Sequence, residues 1–207
     1  MNYIFDFDGT LADTFDDLIA VFNKNIRCDK NPLTQQEIER FRGMGARRAL
    51  RKVGIRWWQL PKLLIMGMAE LKTMQRSDNT FKNIPETIKA LYDRGDKLFI
   101  VTVMTNTESG VHNFLKRHGI DEFFTDIDTT AGIFKKSKHI RKLIKKYGLK
   151  RRETVYVGDE TRDIQAARMA RIKIVSVTWG FNNKKILKKR WPNYLIDNPI
   201  DILDIKL

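Results

Sequence analysis

Short apolar, β-prone runs occur at residues 3–7, 98–103, 123–127, 154–157 and 172–177, and stretches with apolar residues at helical spacing separate them. The four later runs are joined by "SGVHNFLKRHG", by a basic helical stretch and by "RDIQAARMARI". Each link suits a helical crossover between parallel strands. The first connection is different, because about ninety residues separate the first two runs. Within it, residues 14–80 read as helices alone: "FDDLIAVFNKNI", "TQQEIERFRG", "GARRALRKVG" and "WWQLPKLLIMGMAELKTMQ". A loop of that length does not belong in a compact domain, so the pattern predicts a small helical domain inserted after the first strand. "NIPETIKALYDRG" then opens the crossover into the second strand, with Pro85 in its first turn and Gly95 at its end. The expected fold class is therefore α/β, with a core formed by residues 1–13 and 81–207 and an insertion formed by residues 14–80. In open sheets of this kind ligands bind beyond the carboxyl ends of the strands, where strand order reverses.

Composition narrows the setting. The 207 residues are 42% apolar, enough for one sizeable domain, and Cys28 is the single cysteine, so an intrachain disulfide is impossible. No basic leader precedes a long apolar stretch, and no window approaches the roughly 18 uncharged apolar residues of a spanning helix. The expectation is a soluble, cytoplasmic protein without a membrane partner. Thirty-nine Lys and Arg against 25 Asp and Glu give +14, which attracts anions of any class. The densest stretch, "KKSKHIRKLIKKYGLKRR", places Ile140, Leu143, Ile144 and Tyr147 at helical spacing and its basic residues on the other faces, as a solvated helix does. Nucleic acid is not the expected partner, because neither a known module nor aromatics interleaved with the basic residues accompany that stretch.

Two apolar runs end in acid. "MNYIFDFDGTLADT" carries Asp6, Asp8 and Asp13, and while its backbone stays extended Asp6 and Asp8 project to the same side. Gly9 permits the turn that follows. "VYVGDETRD" ends likewise in Asp159, with Asp163 one helical turn on. Singly, each has a plain reading: a strand running out into solvent, or Asp159 capping a helix. Together they gather like charges at the carboxyl ends of one sheet, where the usual relief is a bound cation. Oxygen donors without cysteine, and with His112, His118 and His139 in surface-like helical contexts, favour a hard ion, and Mg²⁺ suits them.

"DFDGTLADT", then "LFIVT", a downstream lysine and "GDETRD", in that order, resemble the haloacid dehalogenase superfamily, and within it the phosphoglycolate-phosphatase-like hydrolases with a helical cap after the first motif. The resemblance implies a Rossmann-like parallel sheet with an all-helical cap. It implies a Mg²⁺-dependent phosphatase of a small phosphorylated metabolite, phosphoglycolate first among candidates, working through an aspartyl-phosphate. In this reading Asp6 is the nucleophile and a metal ligand, and Asp8 is the general acid and base, with its carbonyl on the metal. Thr102 donates to a phosphoryl oxygen, Asp159 is a direct metal ligand, and Asp163 supports the metal site. An acid at position 8 favours phosphoryl transfer over carbon–halogen cleavage.

The third motif departs from its relatives, since "GIFKKSKHI" offers Lys135, Lys136 and Lys138 with no following proline. Lys136 is the choice, because Ser137 after it is a plausible helix cap and the other two remain free to face water. Thr105 and Asn106 have no assigned role, and Arg171 stands where relatives commonly have the glycine that ends a helix. In the insertion, Arg42, Arg47 and Arg48 flank Gly43 and Gly45 and could grip a carboxylate or second phosphate, with exposed helix cations as the equal alternative. Trp57 and Trp58 read as packing within the insertion. The competing functions are a phosphomutase using the same aspartyl chemistry and a noncatalytic basic binding protein on the same scaffold.

Overall fold

The computed structural model describes residues 1–26, 32–52, 78–103, 107–131 and 135–206. Six parallel strands, β1 (Asn2–Phe5), β2 (Lys97–Val103), β3 (Phe124–Ala131), β4 (Thr154–Gly158), β5 (Lys173–Val177) and β6 (Tyr194–Ile196), form one sheet in the order β3-β2-β1-β4-β5-β6. The central strands are buried on both faces, and the two-residue period of a strand divides their side chains between two cores. Tyr3, Phe5, Leu98, Ile100, Val155, Val157, Val175 and Val177 fill one core with helices α4 (Ile84–Asp93) and α5 (Glu108–Arg117). Ile4, Phe99, Val101, Tyr156 and Ile174 fill the other with α6 (Lys136–Lys146) and α7 (Thr161–Ala170). A last short helix, α8 (Lys184–Lys188), precedes β6.

From β1 the chain first builds outward to β2 and β3, then crosses back to β4 and continues to β5 and β6. Strand order therefore reverses between β1 and β4, and their carboxyl ends open the crevice where a ligand fits. Between β1 and β2 come the inserted helices α1 (Phe15–Ile26), α2 (Gln35–Arg42) and α3 (Ala46–Lys52). A reciprocal capping box starts α2: Thr34 Oγ1 accepts from Glu37 N–H, and the Glu37 carboxylate accepts from Thr34 N–H. The chain leaves and re-enters the core side by side, with Asp13 N donating to Asn79 O at 2.9 Å and Thr80 Oγ1 to Leu11 O at 2.7 Å. The stretch with Trp57 and Trp58 lies outside the described residues, as do Cys28, Thr105 and Asn106. Among the described residues no helix is long and apolar enough to cross a membrane.

Local details differ from the sequence reading in four places. The first strand ends at Phe5, not residue 7, because Gly9 (φ 72°) folds the chain back so that the amides of Thr10, Leu11 and Ala12 all reach Phe7 O. Ser137 does not cap α6; the helix starts one residue earlier, at Lys136, with no side-chain cap. Glu160, not Asp159, stands at the N-cap of α7, with Asp163 completing the box. β6 has only three half-buried residues, too few to show a period. Arg171 does end α7 in the left-handed conformation (φ 59°, ψ 45°) that Gly95, Gly119 and Gly148 take at other helix ends, at a strain of about 1 kcal/mol.

Candidate active site

Beyond the ends of β1 and β4, the carboxylates of Asp6, Asp159 and Asp163 are all buried, with one oxygen of each within 4.8 Å of the others. Each is held differently. Asp6 continues the β1–β4 ladder through its amide, which donates to Val157 O at 2.8 Å; its Oδ1 accepts from Phe7 N–H at 2.8 Å and its Oδ2 from Lys136 Nζ at 2.6 Å. Asp163, in the first turn of α7, accepts from Lys136 Nζ at 2.8 Å on Oδ1 and from Glu160 N–H at 2.9 Å on Oδ2. Asp159 accepts from Thr10 Oγ1 at 3.0 Å and from Phe181 N–H at 2.6 Å. Among the described residues no cation pairs with it. This packing needs glycine at three positions: a Cβ on Gly9 would stand 2.5 Å from Asp159 Oδ2, one on Gly158 2.7 Å from Asp163 Oδ2, and one on Gly180 2.2 Å from Gly9 O.

Lys136 lies over the Tyr156 ring, 5.6 Å from its centroid, and of Lys135, Lys136 and Lys138 it alone is buried. Its ammonium answers one of three buried negative charges. Arg162 adds little relief, because its guanidinium is bound to both oxygens of Glu160. The result is a strong resistance to ionisation: burial pushes the Asp6 carboxyl up to about 7 despite the opposing Lys136, with Asp163 adding to the rise. Asp159 is raised well above the usual carboxylate range, first by burial and then by Glu160 and Asp163. A buried, oxygen-only group with a surplus of about two negative charges fits a hard divalent cation. Asp6 and Asp159 would hold it, with Asp163 in support.

The model of the haloacid dehalogenase-like hydrolase family matches residues 3–177, a span that contains all three acids and the strands that carry them. The chain belongs to that family. A phosphoglycolate phosphatase from Synechococcus elongatus is 30% identical over 201 residues, covering 97% of this chain and 94% of that protein. A pyrophosphatase from Oceanobacillus iheyensis is 26% identical over 208 residues, covering 98% and 94%. Among solved structures, a haloacid dehalogenase-like hydrolase from Streptococcus pneumoniae superimposes with a TM-score of 0.76 at 21% identity, over 98% of this chain and 96% of that one.

Within this haloacid dehalogenase-like hydrolase the other predicted site residues occupy distinct places. Asp8 is half-buried and its carboxylate is not among the three grouped acids; its Oδ1 accepts from Thr14 Oγ1 at 3.0 Å, and its charge adds to the rise at Asp6. The strand ends at Phe5, so both Asp6 and Asp8 stand just beyond it. Thr102 is fully buried in β2, two residues past the Phe5–Ile100 pairing. Arg48 is exposed, and the Arg47 side chain lies outside the described residues. Arg42 is engaged by protein groups: Nε donates to Phe181 O at 3.2 Å, Nη2 to Gly180 O at 3.0 Å and Nη1 to Glu39, with the guanidinium 5.3 Å from the Phe15 ring centroid.

That contact exposes what reasoning from the sequence missed. The loop "WGFNN", residues 179–183, follows β5 on the same side of the sheet as the acids and joins them to the insertion. Phe181 N–H holds Asp159, while Asn182 Nδ2 donates to Arg42 O and Met44 O at 3.2 Å each. Its signal in the sequence is a Gly between aromatics just past an apolar strand. Thr10, inside the first motif, is the second omission.

Proposed function

We propose that this chain is a Mg²⁺-dependent phosphatase of small phosphomonoesters that works through an aspartyl-phosphate on Asp6, with phosphoglycolate the leading substrate. One observation carries the reading: Asp159, a buried carboxylate without a cationic partner among the described residues, stands beside a second buried carboxylate, Asp6, in the β1/β4 crevice. The names of the relatives, phosphoglycolate phosphatase and pyrophosphatase, support phosphoryl chemistry.

In the first step a carboxylate oxygen of Asp6 attacks phosphorus, forming an acyl phosphate as the ester P–O bond breaks, and Asp8 gives its proton to the departing alkoxide. In the second, Asp8 takes a proton from water as that water attacks the same phosphorus, releasing phosphate and restoring Asp6. Lys136 offsets negative charge on Asp6 and on the transferring group, and Thr102 donates to a phosphoryl oxygen. Bound Mg²⁺, held by Asp6, Asp159 and the Asp8 carbonyl with Asp163 in support, would screen the repulsion between carboxylate and phosphate. The insertion of residues 14–80 would serve as the cap, and its described part meets the core through Arg42 and the 179–183 loop.

Hydrolysis of a generic aryl phosphate with Mg²⁺ and with chelator tests the chemistry, and a panel including phosphoglycolate and pyrophosphate ranks substrates. Turnover that needs the metal is expected. A protein inert toward every member overturns the reading, and isomerisation of a sugar phosphate without phosphate release would replace it with a mutase.

A further inference from the structure

At the opposite end of β4 and β5, about 16 Å from the acids by strand length, an open groove of about 520 Å³ is lined by Arg151, Arg152, Arg168, Arg171, Lys173 and Trp191. The residues lining it include no acid; nearby Glu153 reaches Arg152 only at 3.6 Å. Trp191 is 83% exposed, the most exposed large hydrophobic side chain among the described residues. Leaving an indole in water, beside cations, favours a partner with a flat face and negative charge.

The groove is built. Arg151 Nε donates to Ala170 O at 3.1 Å, and Arg168 Nη2 donates both to Arg190 O and, at 2.7 Å, to Trp191 O, which holds the backbone at the indole. Three non-glycine residues have positive φ among those described, and two of them, Arg171 (φ 59°) and Trp191 (φ 46°), line this groove. Backbone strain at both makes sense where side chains must be presented at a site. The basic surface also runs past it: Arg141 of α6 reaches across to Met169 O, bringing exposed Lys142 and Lys145 alongside, and Lys188, Lys189 and Arg190 lead into Trp191. The sequence showed cations without interleaved aromatics; the fold supplies the aromatic from elsewhere in the chain.

We infer that this groove binds single-stranded nucleic acid, its bases stacking on Trp191 and its phosphates meeting the arginines. An open, extended basic track favours a strand over one nucleotide, and the site stands apart from the phosphatase centre. Fluorescence anisotropy with a labelled oligonucleotide of about 12 nucleotides tests it in the full chain. With about four phosphates engaged, affinity should fall about 50-fold between about 50 and about 200 mM salt. Trp191→Asn, whose side chain tolerates the left-handed backbone, should weaken binding about tenfold. Arg152→Ala should reduce the salt slope by about 0.7. Both variants should keep wild-type turnover of aryl phosphate, so failure here is distinguishable from failure of the phosphatase reading. Three results would overturn the inference: no binding at about 50 mM salt, inorganic polyphosphate binding as well as the oligonucleotide with Trp191→Asn without effect, or ATP alone binding as tightly as the strand.

Discussion

The two ends of β4 handle charge in opposite ways. Beyond its carboxyl end, Asp159 and Asp163 are buried with Asp6, and each carboxylate oxygen has a specific donor at a fixed distance. Before its amino end, Arg151 and Arg152 stand in water around an exposed indole. A buried charge loses its hydration and depends on particular partners, so removing one partner has a large local effect. An exposed charge acts over a Debye length and is screened by salt, so each contributes little alone. On the two proposals above, the acidic end serves one ion and one reaction, and the basic end a long, weakly specific ligand.

Substitutions should reproduce that contrast. The largest effect apart from the nucleophile belongs to Asp8: Asp8→Ala should lower kcat by about 10²- to 10⁴-fold while metal affinity is kept, since its side chain lies outside the three-acid group. Equal loss of metal binding would assign Asp8 to the metal site through its carboxylate. Lys136→Met strands Asp6 and Asp163 and should destabilise the metal-free protein by about 3 kcal/mol in urea unfolding. A change in the range of a surface ion pair would mean the ammonium is dispensable.

The pH dependence of stability has a definite sign. Folding raises Asp6 to about 7 and Asp159 well above its ordinary range, so between about pH 5 and 7 the folded chain holds protons that the unfolded chain has released. Stability of the metal-free protein must then fall as pH rises through that window, reaching its low plateau above the folded-state values. Melting in chelator should occur at higher temperature at about pH 5.5 than at about pH 7.5, and Mg²⁺ should shrink or reverse the difference by displacing those protons. A melting temperature indifferent to pH would show that the acids ionise freely. The smallest effect is expected at Arg42. Arg42→Ala releases the 179–183 loop and should raise the half-saturating Mg²⁺ several-fold, about 1 kcal/mol, with kcat at saturating metal little changed. A rise in substrate KM alone would make Arg42 a substrate contact.

The sheet was legible because five of its strands are short apolar runs bounded by helical periodicity, and the first and fourth strands advertise their ends with paired acids. β6 escaped because Tyr194–Ile196 is too short and too exposed to show a pattern. At the site, types and spacing located Asp6, Asp159 and Asp163 but not how they are held. Thr10 on Asp159 and the amide of Phe181 on its other oxygen join residues 149 and 22 positions away, which no local spacing encodes. Where the first strand stops is set by Gly9 and by three amides converging on Phe7 O. Trp191 meets Arg151 and Arg152 only through the packing of β5 and β6 onto β4.

Asp6 as nucleophile is tested by steady-state phosphate release from an aryl phosphate by wild type and Asp6→Asn at saturating Mg²⁺. Asn is close in shape and keeps the fold testable by melting, but its amide is a far poorer nucleophile than a carboxylate. Metal-dependent release by wild type and a loss of about 10⁴-fold or more in a folded Asp6→Asn protein are the results expected of a nucleophile at this position. Wild-type turnover by that variant would contradict that role.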